Sequence, residues 1–254
     1  MKAIVLLMLL FAWPGVKSGL TQHELASVGA APPANARAPL SLAFVDAAGA
    51  RRTLGQAMAG RPTVLVFADY TCRYLCGPGL VLTAAALDAT RLAPGRDYSF
   101  VVIGINPRDG PAQARAMRAA RLRPGAGAAA QLLSGGAGAV LAAALGYHYL
   151  YDAQLGQYAH DTAVYILAPD GRVSRILPQF ALTGAGIAGA LEHAATRPAG
   201  LLTTPLRIIC YCLQPLTGAF DAPAVFALRT ACLGFLVAAG AAFLMLRRAR
   251  ERRR

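Results

Sequence analysis

The sequence predicts an α/β fold, a mixed sheet with helices on both faces, plus one C-terminal transmembrane helix. Three observations carry that expectation. Thr63-Val64-Leu65-Val66-Phe67-Ala68 and the run at 98–105 are short, nearly unbroken β-branched and aromatic segments, the pattern of strands covered on both faces in a parallel sheet. Helical stretches alternate with them, which implies right-handed βαβ units. Hydrophobic residues make up 56 % of the 254 residues and charged residues 15 %, an apolar excess that points to lipid for part of the chain. The same composition excludes intrinsic disorder, and five cysteines in so long a chain exclude a compact disulfide scaffold.

Taken in order, Met1-Lys2, the apolar run 3–12, Trp13-Pro14-Gly15 and the small Ser18 and Gly19 have the charge, core and exit order of a secretory signal peptide over residues 1–18. A retained N-terminal anchor is the alternative. Residues 19–39 are rich in Ala, Pro and small polar residues without a sustained period and read as a linker. The folded domain is expected over 40–197. Within it 41–46 alternates as a strand and joins 51–54 through the turn 47–50 as an edge hairpin. After the first buried strand, 80–87 reads as helix, and 111–121 as a helix with Pro in its first turn. Residues 135–146 give a short Ala/Leu helix. Residues 162–168 and 173–177 flank Pro169-Asp170-Gly171 as an antiparallel hairpin, and 186–195 closes with a helix.

A juxtamembrane segment, 198–221, leads into 222–246, which is apolar apart from Arg229 near its outer end and Asp-free throughout. About 20 such residues cross a bilayer, so 222–246 reads as a transmembrane helix, with a buried core helix as the alternative. The tail 247–254 follows at once with six Arg and one Glu, and such a block stays on the cytoplasmic side. Signal peptide and tail together put the domain on the periplasmic side of the cytoplasmic membrane. The formal charge is +13, but the tail carries +5 of it beside the membrane. That favours topology and contact with anionic lipid over binding of nucleic acid.

The sharpest feature follows the first buried strand: Tyr70-Thr71-Cys72-Arg73-Tyr74-Leu75-Cys76. In open α/β sheets ligands gather outside the carboxyl ends of strands. A spacing of four puts both sulfurs on one face if a helical turn begins at Cys72, so a metal or a disulfide could bridge them. The usual redox motif has two intervening residues rather than three, and soft thiolates select Cu(I), zinc or iron–sulfur clusters. Two sulfurs under-fill such a site, so a third ligand is expected among His23, His148, His160 and His193. His23 lies in the linker and His193 beside Glu192 in the last helix. His160 directly precedes a strand, where a loop brings it to the same sheet end, and His148 sits between Tyr147 and Tyr149.

Four segments resemble the SCO/SenC proteins, thioredoxin-fold copper-binding assembly factors of respiratory oxidases. They are the strand and Cys-x-x-x-Cys from Thr63 to Cys76; Ile105-Asn106-Pro107-Arg108-Asp109-Gly110-Pro111, similar to the family's Asp-Pro-x-Arg-Asp-Thr-Pro; Ala159-His160-Asp161-Thr162-Ala163-Val164-Tyr165; and Ile166-Leu167-Ala168-Pro169-Asp170-Gly171. The resemblance implies a thioredoxin-like sheet with Cys72, Cys76 and His160 as ligands of copper, a three-coordinate set suited to Cu(I), with Cu(II) also open. Asp161, next in sequence, either orients the imidazole or is solvated. The chain departs from the family in Arg73-Tyr74-Leu75 and Gly77-Pro78, where relatives carry prolines and an acidic residue, and in Asn106 for Asp.

Two readings follow from the resemblance. The first is a metallochaperone, not an enzyme, that delivers Cu(I) to the copper-acceptor subunit of a cytochrome oxidase. The second is a membrane-anchored thiol–disulfide oxidoreductase in which Cys72 and Cys76 are the catalytic redox pair. A peroxidase on the same fold is a distant third, resting on Arg73 alone. Near the membrane, Cys210 and Cys212 alternate on an extended chain and make poor joint ligands unless the segment bends. They either touch copper or exchange disulfides, or they only pack at the interface. Cys232, inside the expected span, reads as a small apolar residue.

Overall fold

The computed structural model describes residues 19–72 and 76–194, the backbone of 209–210, and the isolated positions Gly234 and Gly240. The expected signal peptide, transmembrane helix and basic tail lie outside the described residues, as do Arg73 and Cys212. Among the described residues no helix is long and apolar enough to cross a membrane. The chain divides into two compact units, His23–Cys212 and a second made of Met1–Gln22 with Leu213–Arg254; apart from Gln22, the elements below lie in the first.

The centre is a seven-stranded mixed sheet. Strands β4 (Thr63–Ala68), β5 (Ser99–Gly104) and β6 (Gln131–Ser134) run parallel in its middle. On one side β10 (Ala163–Leu167) pairs antiparallel with β4 and β11 (Val173–Pro178) with β10. On the other side the hairpin β2 (Ala43–Asp46) and β3 (Arg51–Thr53) adds antiparallel to β6. Every residue of β4 and of β5 is buried, as their unbroken apolar runs require.

Successive side chains of these strands enter two separate cores, one on each face. Val64, Val66, Phe100, Val102 and Val164 meet α3 (Cys76–Asp88), α4 (Pro111–Arg121), the short α5 (Ala126–Ala129) and α7 (Gly184–Ala194). Leu65, Phe67, Val101, Ile103 and Tyr165 meet α2 (Leu54–Met58) and α6 (Ala137–Ala144). Thr53 caps α2 with its hydroxyl while Gln56 returns the bond to the Thr53 backbone, a capping box. This is the thioredoxin-like arrangement of strands and helices.

Four expectations need correction. Residues 19–39 do not form a linker before a domain that starts near Leu40. Helix α1 (Gln22–Ser27) buries Leu25 completely, and β1 (Gly29–Ala30) pairs with β7 (Tyr147–His148). Ala31 N–H donates to the Gly146 carbonyl at 2.8 Å and Val173 N–H to the Ala36 carbonyl at 2.9 Å. Single buried residues on an irregular backbone leave no periodic trace, so the segment reads as loose although it is packed. Second, a central strand, β6, stands just before the Ala/Leu helix without a periodic signal of its own, because Gln131-Leu132-Leu133-Ser134 is only four residues long. Third, the helix expected over 80–87 is longer: among the described residues it spans Cys76–Asp88. Fourth, His160 lies within a strand, β9 (Gln157–Asp161), which pairs with β8 (Leu150–Asp152) and with β12 (Ile209–Cys210), not in a loop.

Candidate metal centre

Register delivers the histidine to the cysteines. Val164 of β10 pairs antiparallel with Val66 of β4, so the chain enters β10 at the edge where β4 leaves it. The residues before β10 include His160, and the residues after β4 lead to Cys72 and Cys76. Cys76 is buried in α3, at the end of the helix nearest the cysteine loop. Its Sγ lies 3.1 Å from His160 Nε2. Cys72 is partly exposed, its N–H donating to the Asp69 carbonyl at 3.1 Å, and it stands close enough to raise the pKa of His160 through its charge. Cys76 and His160 are therefore in contact with Cys72 beside them, yet among the described residues no three His, Cys, Asp or Glu side chains stand at metal-ligand spacing. Closing a three-coordinate site requires drawing Cys72 in.

The protonation state of His160 follows from its partners. Nδ1 lies 2.9 Å from Tyr147 Oη and 3.0 Å from the Asp161 carbonyl, and Tyr147 Oη donates to that same carbonyl at 2.6 Å. A carbonyl only accepts and the Tyr147 proton is already committed, so Nδ1 carries the hydrogen and Nε2 keeps its lone pair toward Cys76. His160 is 2 % exposed, and burial lowers its pKa, which keeps the ring neutral as a metal ligand requires. The ring is thus held by the Tyr147 hydroxyl and the Asp161 main chain. The Asp161 carboxylate instead accepts from Ala30 N–H at 3.1 Å and ties β1 to this strand, so the expected orienting role passes to its backbone.

Tyr147 is the functional residue that sequence reasoning missed. The only sign was its place beside His148, which is itself exposed on β7 and paired with Gly29. Tyr147 also stacks on Phe67 of β4 at 4.3 Å between ring centroids, so its position is fixed by the core. Tyr147→Phe keeps that packing and removes one of two acceptors of Nδ1–H. Loss of such an outer partner typically costs ~10–100-fold in metal affinity. A fall of about tenfold in Cu(I) affinity, read by chelator competition, is expected, because the Asp161 carbonyl remains. His23 and His193 are exposed and take no part; His193 Nδ1 lies 2.5 Å from the Gly189 carbonyl one helical turn back.

A buried polar network supports the turn before Cys72. Tyr70 N–H donates to Asp109 Oδ2 at 2.9 Å, and the Tyr70 hydroxyl lies 2.8 Å from the carbonyls of Val102 and Leu133. Asp69 Oδ1 accepts from Thr71 N–H at 2.9 Å and Thr71 Oγ1–H at 2.7 Å. Asn106 Nδ2 reaches Asp69 at 3.5 Å and Thr71 at 3.3 Å. The Asn106 amide is a neutral donor where a carboxylate would repel Asp69. The arginine near Cys76 that the structure describes is Arg121, whose side chain crosses Gly77 so closely that a Cβ there would meet it at 2.5 Å.

Asp109 is 4 % exposed and its Oδ1 has no hydrogen-bond partner. Burial pushes its carboxyl up to about 7 from 3.8, against the pull of the Tyr70 N–H and with the push of Asp69. The folded chain therefore holds this proton more tightly than the unfolded one. The stability it contributes is complete below pH 3.8 and lost as pH rises through 7. Asp109→Asn removes this ionisation. Its stability relative to the wild type should rise by about 2–3 kcal/mol between pH ~5 and ~8.5, measured by denaturant melts. Parallel pH profiles for the two proteins would refute the assignment.

The SCO1/SenC family model matches residues 32–196. Among solved structures, a candidate electron transfer protein from Aquifex aeolicus VF5 superposes with a TM-score of 0.56 at 18 % identity, covering 66 % of this chain and 96 % of that one. BsSco, a member of the Sco family of cytochrome c oxidase assembly proteins in which a disulfide switch is identified, gives 0.53 at 19 %, covering 66 % and 97 %. Arabidopsis thaliana ScoI with copper bound gives 0.50 at 21 %, covering 60 % and 96 %. No curated protein matches the chain by sequence. At these identities the structural likeness establishes the fold, while the family match runs across the whole sheet, both loop cysteines and His160. Matched over that stretch, the chain belongs to the SCO1/SenC family.

Proposed function

We propose that this protein carries Cu(I) on Cys72, Cys76 and His160 and delivers it to the copper-acceptor subunit of a respiratory cytochrome oxidase. The observation that carries the reading is the Nε2 lone pair of a neutral, buried His160 facing the Cys76 sulfur at 3.1 Å. Two thiolates and one imidazole form a soft, low-coordinate donor set that suits Cu(I) over harder ions. Membership of a family with copper-bound and oxidase-assembly relatives supports the same conclusion. The apolar segment 222–246 and its arginine tail support a site on the periplasmic face of the cytoplasmic membrane. Anchoring there raises the effective concentration near a membrane-bound acceptor.

In this mechanism the copper is cargo. Loading displaces the thiol protons of Cys72 and Cys76, while His160 binds without losing a proton because Nδ1 holds it. Cys72, the more accessible sulfur, is the first ligand to be exchanged for one from the acceptor. The buried Cys76 and His160 follow.

The accessibility of Cys72 also favours a second reading, reduction of the acceptor's cysteines. The Cys72 thiolate attacks an acceptor disulfide, releasing one acceptor thiolate and forming a mixed disulfide. Cys76 then attacks the Cys72 sulfur, which frees the second acceptor thiolate and leaves a Cys72–Cys76 disulfide, two electrons having passed to the acceptor. Anaerobic Cu(I) titration of the full-length chain in detergent, against a competing chelator, separates the readings. One tight equivalent is expected, strongly weakened by His160→Ala. Full affinity in His160→Ala, together with loss of only disulfide-reducing activity in the cysteine variants, would establish the second reading instead.

A further inference from the structure

Cys210 and Cys212 are a chemistry-bearing pair of side chains that this function leaves unused. Strand β12 returns from a distant part of the sequence to pair antiparallel with β9, and its register sets Ile209 opposite Asp161 and Cys210 opposite His160. Directly opposed residues of antiparallel strands have Cα atoms about 4.5–5.5 Å apart. A cysteine thereby occupies the position across from the only imidazole of the candidate centre, at the edge of the β12–β9–β8 sheet. Spacing alone makes Cys210 and Cys212 poor joint ligands. Among the described residues, register sets Cys210 opposite the histidine.

We infer that Cys210 is an exchange ligand: it replaces His160 on Cu(I) and converts the two-sulfur, one-nitrogen set into three sulfurs before the metal leaves. The inference rests on the copper reading above. In the exchange a Cu–S bond to Cys210 forms as the Cu–Nε2 bond breaks, the Cys210 thiol proton goes to solvent, and copper stays Cu(I). A third thiolate is a soft donor of the kind Cu(I) prefers, so the exchange has no loss of ligand number to overcome.

The test is a double-mutant cycle on the full-length chain in detergent, with anaerobic Cu(I) as the probe. Affinity is read by chelator competition, and the atoms bound to copper by X-ray absorption. Cys210→Ser alone should change affinity less than about threefold, because His160 holds the resting site. His160→Ala, although strongly weakened, should hold the copper it still binds with three sulfur neighbours. Adding Cys210→Ser to His160→Ala should weaken binding at least ~10-fold further and leave two sulfurs, whereas adding Cys212→Ser should not. Cys210→Ala and thermal midpoints of each variant separate loss of a ligand from loss of fold. The inference is overturned if Cys210→Ser changes neither affinity nor neighbours in the His160→Ala background, or if Cys212→Ser has the same effect. It also falls if Cys210→Ser alone weakens binding as much as His160→Ala. A wild-type chain that binds no Cu(I) overturns the copper reading and this inference together, while one tight equivalent with a null cycle overturns the inference alone.

Discussion

Replacing Cys72 or Cys76 by Ala should abolish tight Cu(I) binding in the anaerobic titration. Each substitution removes one of two thiolates from a three-coordinate set, so the loss should exceed the ~10–100-fold that outer-sphere partners cost and therefore that of Tyr147→Phe. The two variants differ in a second respect. Cys72 is partly exposed at the edge of the core, whereas Cys76 is buried within α3 and faces His160 Nε2. Cys76→Ala takes away the partner of a buried ring nitrogen, which costs about 1–3 kcal/mol of stability. Cys72→Ala should melt with the wild type, and Cys76→Ala below it. Tight copper binding that survives in either variant would sink the proposed ligand set.

The largest stability effect away from the ligands is expected at Gly146, between α6 and β7. Its φ is +62°, and a Cβ there would run into the main chain of Ala31 and Pro32. Left-handed strain alone costs roughly 1–2 kcal/mol, and a backbone collision adds to it because neither segment is a flexible side chain end. Gly156 has the same φ of +62° with nothing within 4 Å of its Cβ position, so Gly156→Ala measures the strain without the collision. Gly146→Ala should destabilise by about 3–4 kcal/mol, lowering the thermal midpoint by ~10 °C, and Gly156→Ala by only about 1–2 kcal/mol. Equal losses would mean that residues 31–32 are not packed against this turn in solution. The comparison therefore tests whether the N-terminal segment belongs to the domain, and the affected turn adjoins Tyr147, the support of His160.

Much of the fold was legible because its signals are local. The unbroken apolar runs of β4 and β5 announce strands buried on both faces. Pro111 and the arginines of α4 mark that helix, observed at the same bounds, Pro111–Arg121, that its sequence implies. Pro169-Asp170-Gly171 marks the turn between β10 and β11. What escaped were elements whose stability comes from distant partners: the four-residue β6, the two-residue β1 and β7, and the buried Leu25 and Val28 on an otherwise polar stretch. No period develops over so few residues, so nothing in the local pattern separates them from loop.

At the candidate site the sequence by itself determined the candidate donors: a Cys-x-x-x-Cys after a buried strand, and a His-Asp before another, with the soft-metal chemistry those residue types imply. Only the tertiary structure decided how they meet and in what state. The antiparallel register of β10 on β4 brings His160 to Cys76, burial strips water from the ring, and Tyr147 with the Asp161 carbonyl fixes which nitrogen keeps its proton. The physical reason is range. Residue identity is written position by position, while hydrogen-bond partners, burial and the opposition of Cys210 to His160 depend on residues 13 to 84 positions away, which only the folded chain brings together.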